Sequence, residues 1–113
     1  MKLVEETTDD VTVVEVYGRV DSTTAKAFGD RLIDLVQAGS ERILVDLKNI
    51  VYISSAGFRA LLIASKASTE KQGKLVLCGV SGEVKRLFDI GEFTELFQIY
   101  PTQADGIGKL RQS

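Results

Sequence analysis

Val11, Val13, Val14 and Val16, punctuated by Thr12 and Glu15, form a β-branched run that stops at Tyr17-Gly18, and this pattern predicts a strand. Lys2 to Thr7 reads as its partner, because Thr8-Asp9-Asp10 between them has turn chemistry and the two should close as an antiparallel hairpin. After Asp21-Ser22-Thr23-Thr24, a cluster of helix-capping residues, Phe28, Leu32, Leu35 and Val36 recur on one helical face, and Gly39 follows as a stop. Arg42 to Leu47 is a nearly continuous apolar run, as expected of a strand covered on both faces.

Ile50 to Ile53 then reads as a short apolar connection to Ser54-Ser55. Phe58, Leu61, Leu62 and Ser65 continue at helical spacing to about Gln72, with Gly73 ending the helix. Leu75 to Cys78 predicts another buried strand, Ser81 a cap for a helix carrying Val84, Leu87 and Phe88, and Leu96 to Tyr100 a last short strand before Pro101. Thr102 to about Arg111 predicts a terminal helix through Ala104, Ile107 and Leu110, weakened by Gly106 and Gly108 at roughly 1 kcal/mol each. Strand and helix alternate, which implies an α/β fold: a mostly parallel sheet of four to five strands with an N-terminal antiparallel strand and about four helices.

The chain has 113 residues and is 44% hydrophobic, enough for one modest core, so residues 1–113 are expected to be a single domain. Fourteen Lys and Arg against sixteen Asp and Glu leave a net charge of −2 with both signs interspersed. Nucleic acid is not an expected partner, since no basic footprint is present to displace counterions from phosphates. Cys78 is the one cysteine, so no intrachain disulfide can form, and with no export signal at the start the expected location is the cytoplasm. The apolar stretches, such as Ala60 to Ala64, are too short for membrane insertion.

The chain contains no histidine, which removes the commonest general base, the commonest metal ligand and any Ser-His or Cys-His nucleophile pair. Cys78, inside an apolar strand, reads as a small core residue. Gly79-Val80-Ser81-Gly82 lacks the lysine and the spacing of a nucleotide-binding loop, and Glu5-Glu6 and Asp9-Asp10 read as solvated residues in or beside the first hairpin. No enzymatic activity, cofactor or metal is expected.

What remains is Ser54-Ser55-Ala56-Gly57, where an apolar segment delivers the chain to a helix N-terminus at the functional edge of an open parallel sheet. An anionic group attached there would meet free backbone N–H groups and the positive end of the helix dipole. The plainer reading is that a serine at such a junction simply caps the helix.

Asp46-Leu47-Lys48-Asn49-Ile50-Val51-Tyr52-Ile53-Ser54-Ser55-Ala56-Gly57-Phe58 resembles the signature of the STAS domain of anti-sigma factor antagonists, roughly D-L-x-x-V-x-[FY]-[IM]-[DS]-S-[STA]-G-[LF]. Tyr17-Gly18-Arg19-Val20-Asp21 is similar to that family's G-x-[LV]-D, and Val84 to Ile90 to its V-x-[RK]-[LV]-[FL] helix, so the resemblance runs from about Leu3 to Ile107. It implies a single STAS-like domain. It also implies phosphorylation on the serine before the [STA]-G pair, which is Ser55, with the adjacent Ser54 as the alternative at a position often filled by aspartate.

The implied function is partner switching in transcription regulation. The unphosphorylated protein binds an anti-sigma factor that is also a serine kinase and so frees the sigma factor; phosphorylation on Ser55 inactivates it, and a serine phosphatase restores it. The partner-binding set carried over is Asp21, Ser54, Ser55, Ala56, Gly57 and Phe58, with Asp21 equally readable as the cap of the first helix and Gly57 as local packing. The rival implication is a STAS subunit that is not phosphorylated and serves a membrane-associated lipid-transport complex.

Overall fold

The computed structural model describes residues 1–112. Strands β1 (Lys2–Thr8) and β2 (Val11–Val20) pair antiparallel across Asp9 and Asp10, whose φ angles of 52° and 66° make the tight left-handed turn that suits the twist of a hairpin. After α1 (Ala25–Gln37), strand β3 (Arg42–Ile53) lies parallel to β2. Helix α2 (Ser55–Glu70) returns the chain to β4 (Lys74–Cys78), parallel to β3. Helix α3 (Gly82–Ile90) and a 3₁₀ turn at Thr94–Leu96 precede β5 (Ile99–Tyr100), and α4 (Gln103–Arg111) ends the fold. The sheet has five strands in the order β1-β2-β3-β4-β5, mixed through its first pair and parallel thereafter.

Both faces of the sheet are covered, and the two-residue period of the strands divides them. Val14 and Val16, Ile43, Val45 and Leu47, and Leu75 and Leu77 pack with Phe28 and Leu32 of α1, Leu61 of α2 and Phe88 of α3. Val11, Val13, Leu44, Val76 and Cys78 turn to the other face, under Leu110 of α4. Among the described residues no helix is long and apolar enough to cross a membrane.

Five elements, β2, β3, β5, α3 and α4, differ from the sequence expectation. Strand β3 runs on to Ile53 and β2 on to Val20, because backbone pairing between them continues across the segment that hydropathy alone reads as a connection. The Leu96–Tyr100 strand shrinks to Ile99–Tyr100: Phe93 and Phe97 are drawn into the α2–α3 aromatic cluster, and the backbone between them coils into the 3₁₀ turn. Ser81 stands at the N-cap position of α3, but its side chain makes no capping hydrogen bond. In α4 the buried positions are Gly106 and Leu110, while Ala104 is exposed. A Cβ on Gly106 would lie 2.7 Å from Leu44 Cδ1, so this glycine is what lets α4 approach the sheet.

Candidate functional site

The register of β2 on β3 slips at Glu15/Tyr17 and again at Gly18/Arg19, and the paired overhang carries Val20 and Ile53 beyond the end of β4. Ser54 continues the ladder, donating its N–H to the Val20 carbonyl at 2.8 Å. The chain then turns into α2, so the segment after β2 and the start of α2 meet at the carboxyl edge of the parallel strands.

The two serines here have different jobs. Ser54 is the N-cap of α2: its backbone is extended, its Oγ accepts the Gly57 N–H at 3.3 Å, and its carbonyl accepts the Phe58 N–H at 3.0 Å. Ser55 is the first helical residue, exposed, and among the described residues its hydroxyl has no partner. The first turn of α2 contains no acidic residue, so its positive end is not already neutralised from within.

Ala56, Gly57 and Phe58 sit progressively deeper. Ala56 is half-buried and lines a groove between α1 and α2. A Cβ on Gly57 would fall 2.7 Å from Ile53 Cγ1 and 2.9 Å from Val20 Cγ1, so the first turn of α2 rests directly on the strand ends. Phe58, only 4% exposed, meets the Phe88 ring edge-on at 4.7 Å and stacks on Phe93 at 4.3 Å. Of the six positions in the partner-binding set, Gly57 and Phe58 therefore lie beneath the surface, where they hold Ser55 in place without presenting a side chain outward.

Asp21 is not the residue at the N-cap position of α1, which is Thr24. Its carboxylate closes a local turn, accepting from the Thr23 N–H at 3.0 Å and the Thr23 hydroxyl at 2.7 Å, while its carbonyl accepts the Ala25 N–H at 2.8 Å. The Thr23 hydroxyl above all holds the Asp21 carboxyl below its usual pKa, so it stays ionised. Arg19 Nε approaches Asp21 Oδ2 at 3.8 Å, and the Arg19 guanidinium lies 4.6 Å over the Tyr52 ring. Arg19 and Tyr52 are neighbours only because the bulged register pairs them across β2 and β3. Both lie within the motif segments, but nothing in their spacing along the chain signals the contact.

The α1–α2 groove holds about 340 Å³. Its floor is made of small residues, and a Cβ on Gly29 would come within 3.1 Å of the Ala60 Cβ. Ile63, 53% exposed, lies along it, with Lys26 and Arg59 as its cations. Lys26 is engaged by Asp30 at 2.7 Å; Arg59, exposed, has no partner among the described residues. Sequence reasoning passed over Arg59, although its position one turn after Ser55 on a predicted helix was a usable signal.

A second cavity of about 740 Å³ lies at the N-terminal end of α4, on the opposite face. There Gln103 Nε2 donates to both Glu15 Oε2 and Asp46 Oδ2, each at 2.7 Å, tying α4 to neighbouring strands. Burial first, and the Asp46 carboxylate second, push the Cys78 thiol up to about 12, leaving it protonated and unreactive at neutral pH. Among the described residues no group of three or more His, Cys, Asp and Glu side chains is placed to hold a metal ion.

The STAS domain family profile matches residues 2–106. A Bordetella bronchiseptica protein, BtrV, named as an anti-sigma factor antagonist, is 34% identical over 99 residues, covering 88% of this chain and 85% of its own length. A Thermotoga maritima structure described as an anti-sigma factor antagonist superposes with a TM-score of 0.89, covering 96% of this chain and 94% of its own at 18% identity. Bacillus SpoIIAA in its phosphorylated form superposes with a TM-score of 0.72, covering 96% of this chain and 98% of its own at 14% identity. At those identities the two structural likenesses bear on the fold alone.

Proposed function

This chain belongs to the STAS domain family, with relatives named as anti-sigma factor antagonists, and we propose that it is a partner switch controlled by phosphorylation on Ser55. Unphosphorylated, it binds an anti-sigma factor that is also a serine kinase and so releases the sigma factor; phosphorylated, it lets that partner go. The protein is the substrate of the kinase and of a serine phosphatase, itself catalyses nothing, and works in the cytoplasm as one domain.

The observation that carries this reading is the division of labour between the two serines. Ser54 spends its hydroxyl on the helix cap, whereas Ser55 presents an exposed, uncommitted hydroxyl. A phosphate on Ser55 adds about −1.5 to −2 charge beside the positive end of α2, a position that favours an anion by roughly 0.3 to 1 kcal/mol. The fold therefore tolerates it. Against a partner shaped for a neutral hydroxyl the same charge is unmatched, and a cost of about 3 kcal/mol would weaken binding more than a hundredfold. Asp21, Ser54, Ser55 and Ala56 form the surface part of the partner face, supported from below by Gly57 and Phe58. That a Bacillus neighbour of the same fold exists in a phosphorylated form fits this reading.

Incubation with ATP and an extract of the source cells, followed by phosphosite mapping, tests it. Phosphate is expected on Ser55. The Ser55→Ala variant should retain the partner in a pull-down and Ser55→Asp should lose it. Absence of phosphate from Ser55 and Ser54 alike, or equal retention by the two variants, overturns the proposal.

A further inference from the structure

We infer that Arg59 is the internal receptor for the phosphate of phosphorylated Ser55, closing an ion pair along one turn of α2. This rests on Ser55 as the modified residue and adds where its new charge goes. Both residues belong to α2, four positions apart, and side chains at that spacing share a face with Cβ atoms about 5–6 Å apart. The order is the favourable one, anion toward the helix N-terminus and cation toward the C-terminus. This reach is already used elsewhere in the fold: Lys26 meets Asp30 at 2.7 Å and Lys85 meets Asp89 at 3.0 Å, both at the same separation.

Availability singles out Arg59. Arg19, Arg31, Arg86 and Arg111 each face a carboxylate, and Lys26 across the groove is held by Asp30. Arg59 is exposed and has no partner among the described residues. A guanidinium presents a planar fork of donors that matches phosphate oxygens in pairs, which a lysine cannot reproduce. Because Arg59 and Ala56 both line the α1–α2 groove, drawing the guanidinium up to Ser55 changes that groove as well. The free cation at its edge is exchanged for a closed pair that keeps a net charge of about −0.5 to −1, so one modification alters two features of the partner face.

The test uses the full chain with phosphoserine built in at position 55 during synthesis, so that it does not depend on any kinase. Phosphorus NMR then follows the second ionisation of the phosphate against pH. Pairing with Arg59 favours the dianion, so Arg59→Gln should raise the midpoint by about 0.3 pH unit or more. Arg59→Lys should fall between the two, and 0.5 M salt should shrink the difference. An unchanged midpoint in Arg59→Gln, or a shift produced by Lys26→Gln in its place, overturns the inference while leaving partner switching intact. Failure to find phosphate on Ser55 and Ser54 alike in cell extract overturns partner switching without touching this measurement.

Discussion

Gly57 donates its backbone N–H to Ser54 Oγ at 3.3 Å, and that single contact separates two adjacent, chemically identical side chains. A hydroxyl that accepts from the third residue of a helix satisfies a donor with no partner inside the helix. The next hydroxyl, on Ser55, is exposed on the first turn and has no partner among the described residues. Ser54 is thus tied to stability and Ser55 to exposure.

Ser54→Ala is expected to lower the unfolding free energy by about 0.5 to 1 kcal/mol, the usual cost of losing a serine cap. Ser55→Ala should stay within about 0.5 kcal/mol of wild type. Urea denaturation of the two variants side by side checks this, and equal losses would mean that the cap is shared between the serines.

Gly57→Ala forces a methyl group into Ile53 and Val20, both buried and β-branched, which have few ways to move aside. A destabilisation of about 1 to 2 kcal/mol is expected from overpacking. If α2 shifts to relieve the contact, the proposed phosphorylation of Ser55 should slow as well, measured as a time course of phosphate incorporation in cell extract.

Gly106 and Gly108 lie two residues apart in α4 and should respond with opposite signs. A Cβ on Gly106 meets Leu44 at 2.7 Å, whereas among the described residues a Cβ on Gly108 meets nothing within 4 Å. Gly108→Ala should stabilise by about 0.5 to 1 kcal/mol through helix propensity alone, and Gly106→Ala should destabilise as the new methyl lifts α4 from the sheet. Thermal melts of both variants decide the point.

Cys78 sets part of the alkaline limit of stability. Its thiol has an ordinary value of 9.0 when free and about 12 in the fold, where burial and then Asp46 oppose the thiolate. The folded state therefore holds the proton more tightly. This contribution is complete below pH 9 and is lost as pH rises toward 12, at up to about 1.4 kcal/mol per pH unit. Comparing the stability–pH curves of wild type and Cys78→Ala between pH 8 and 11 should show a shallower decline in the variant.

Much of the fold was legible in local pattern. The valine run of β2, the four-three-one spacing in α1 and the unbroken hydropathy of Arg42 to Leu47 each report burial directly, because a strand or helix must face its apolar side inward whatever packs on it. The turn at Asp9 and Asp10 and the two serines at the start of α2 were equally visible, since caps and turns are chosen by short-range hydrogen bonding. The motif around Ser55 named the family to which the chain belongs.

Contacts between distant segments were decided by the tertiary structure alone. Backbone pairing with β2 converted Ile50 to Ile53 from an apolar connection into the end of β3, and the bulges that came with it brought Arg19 over Tyr52. The burial of Phe58 depended on Phe88 and Phe93, some thirty residues downstream, and Gly106 read as a helix weakness until Leu44 lay beneath it. Local sequence records which residues prefer burial, capping or turning. It does not record which surface arrives to cover them, because that is fixed only when the strands register and the helices dock. The sequence brought two hydroxyls to one edge of the sheet, and the docking of α2 onto Val20 and Ile53 gave one of them to the fold and left the other to the solvent.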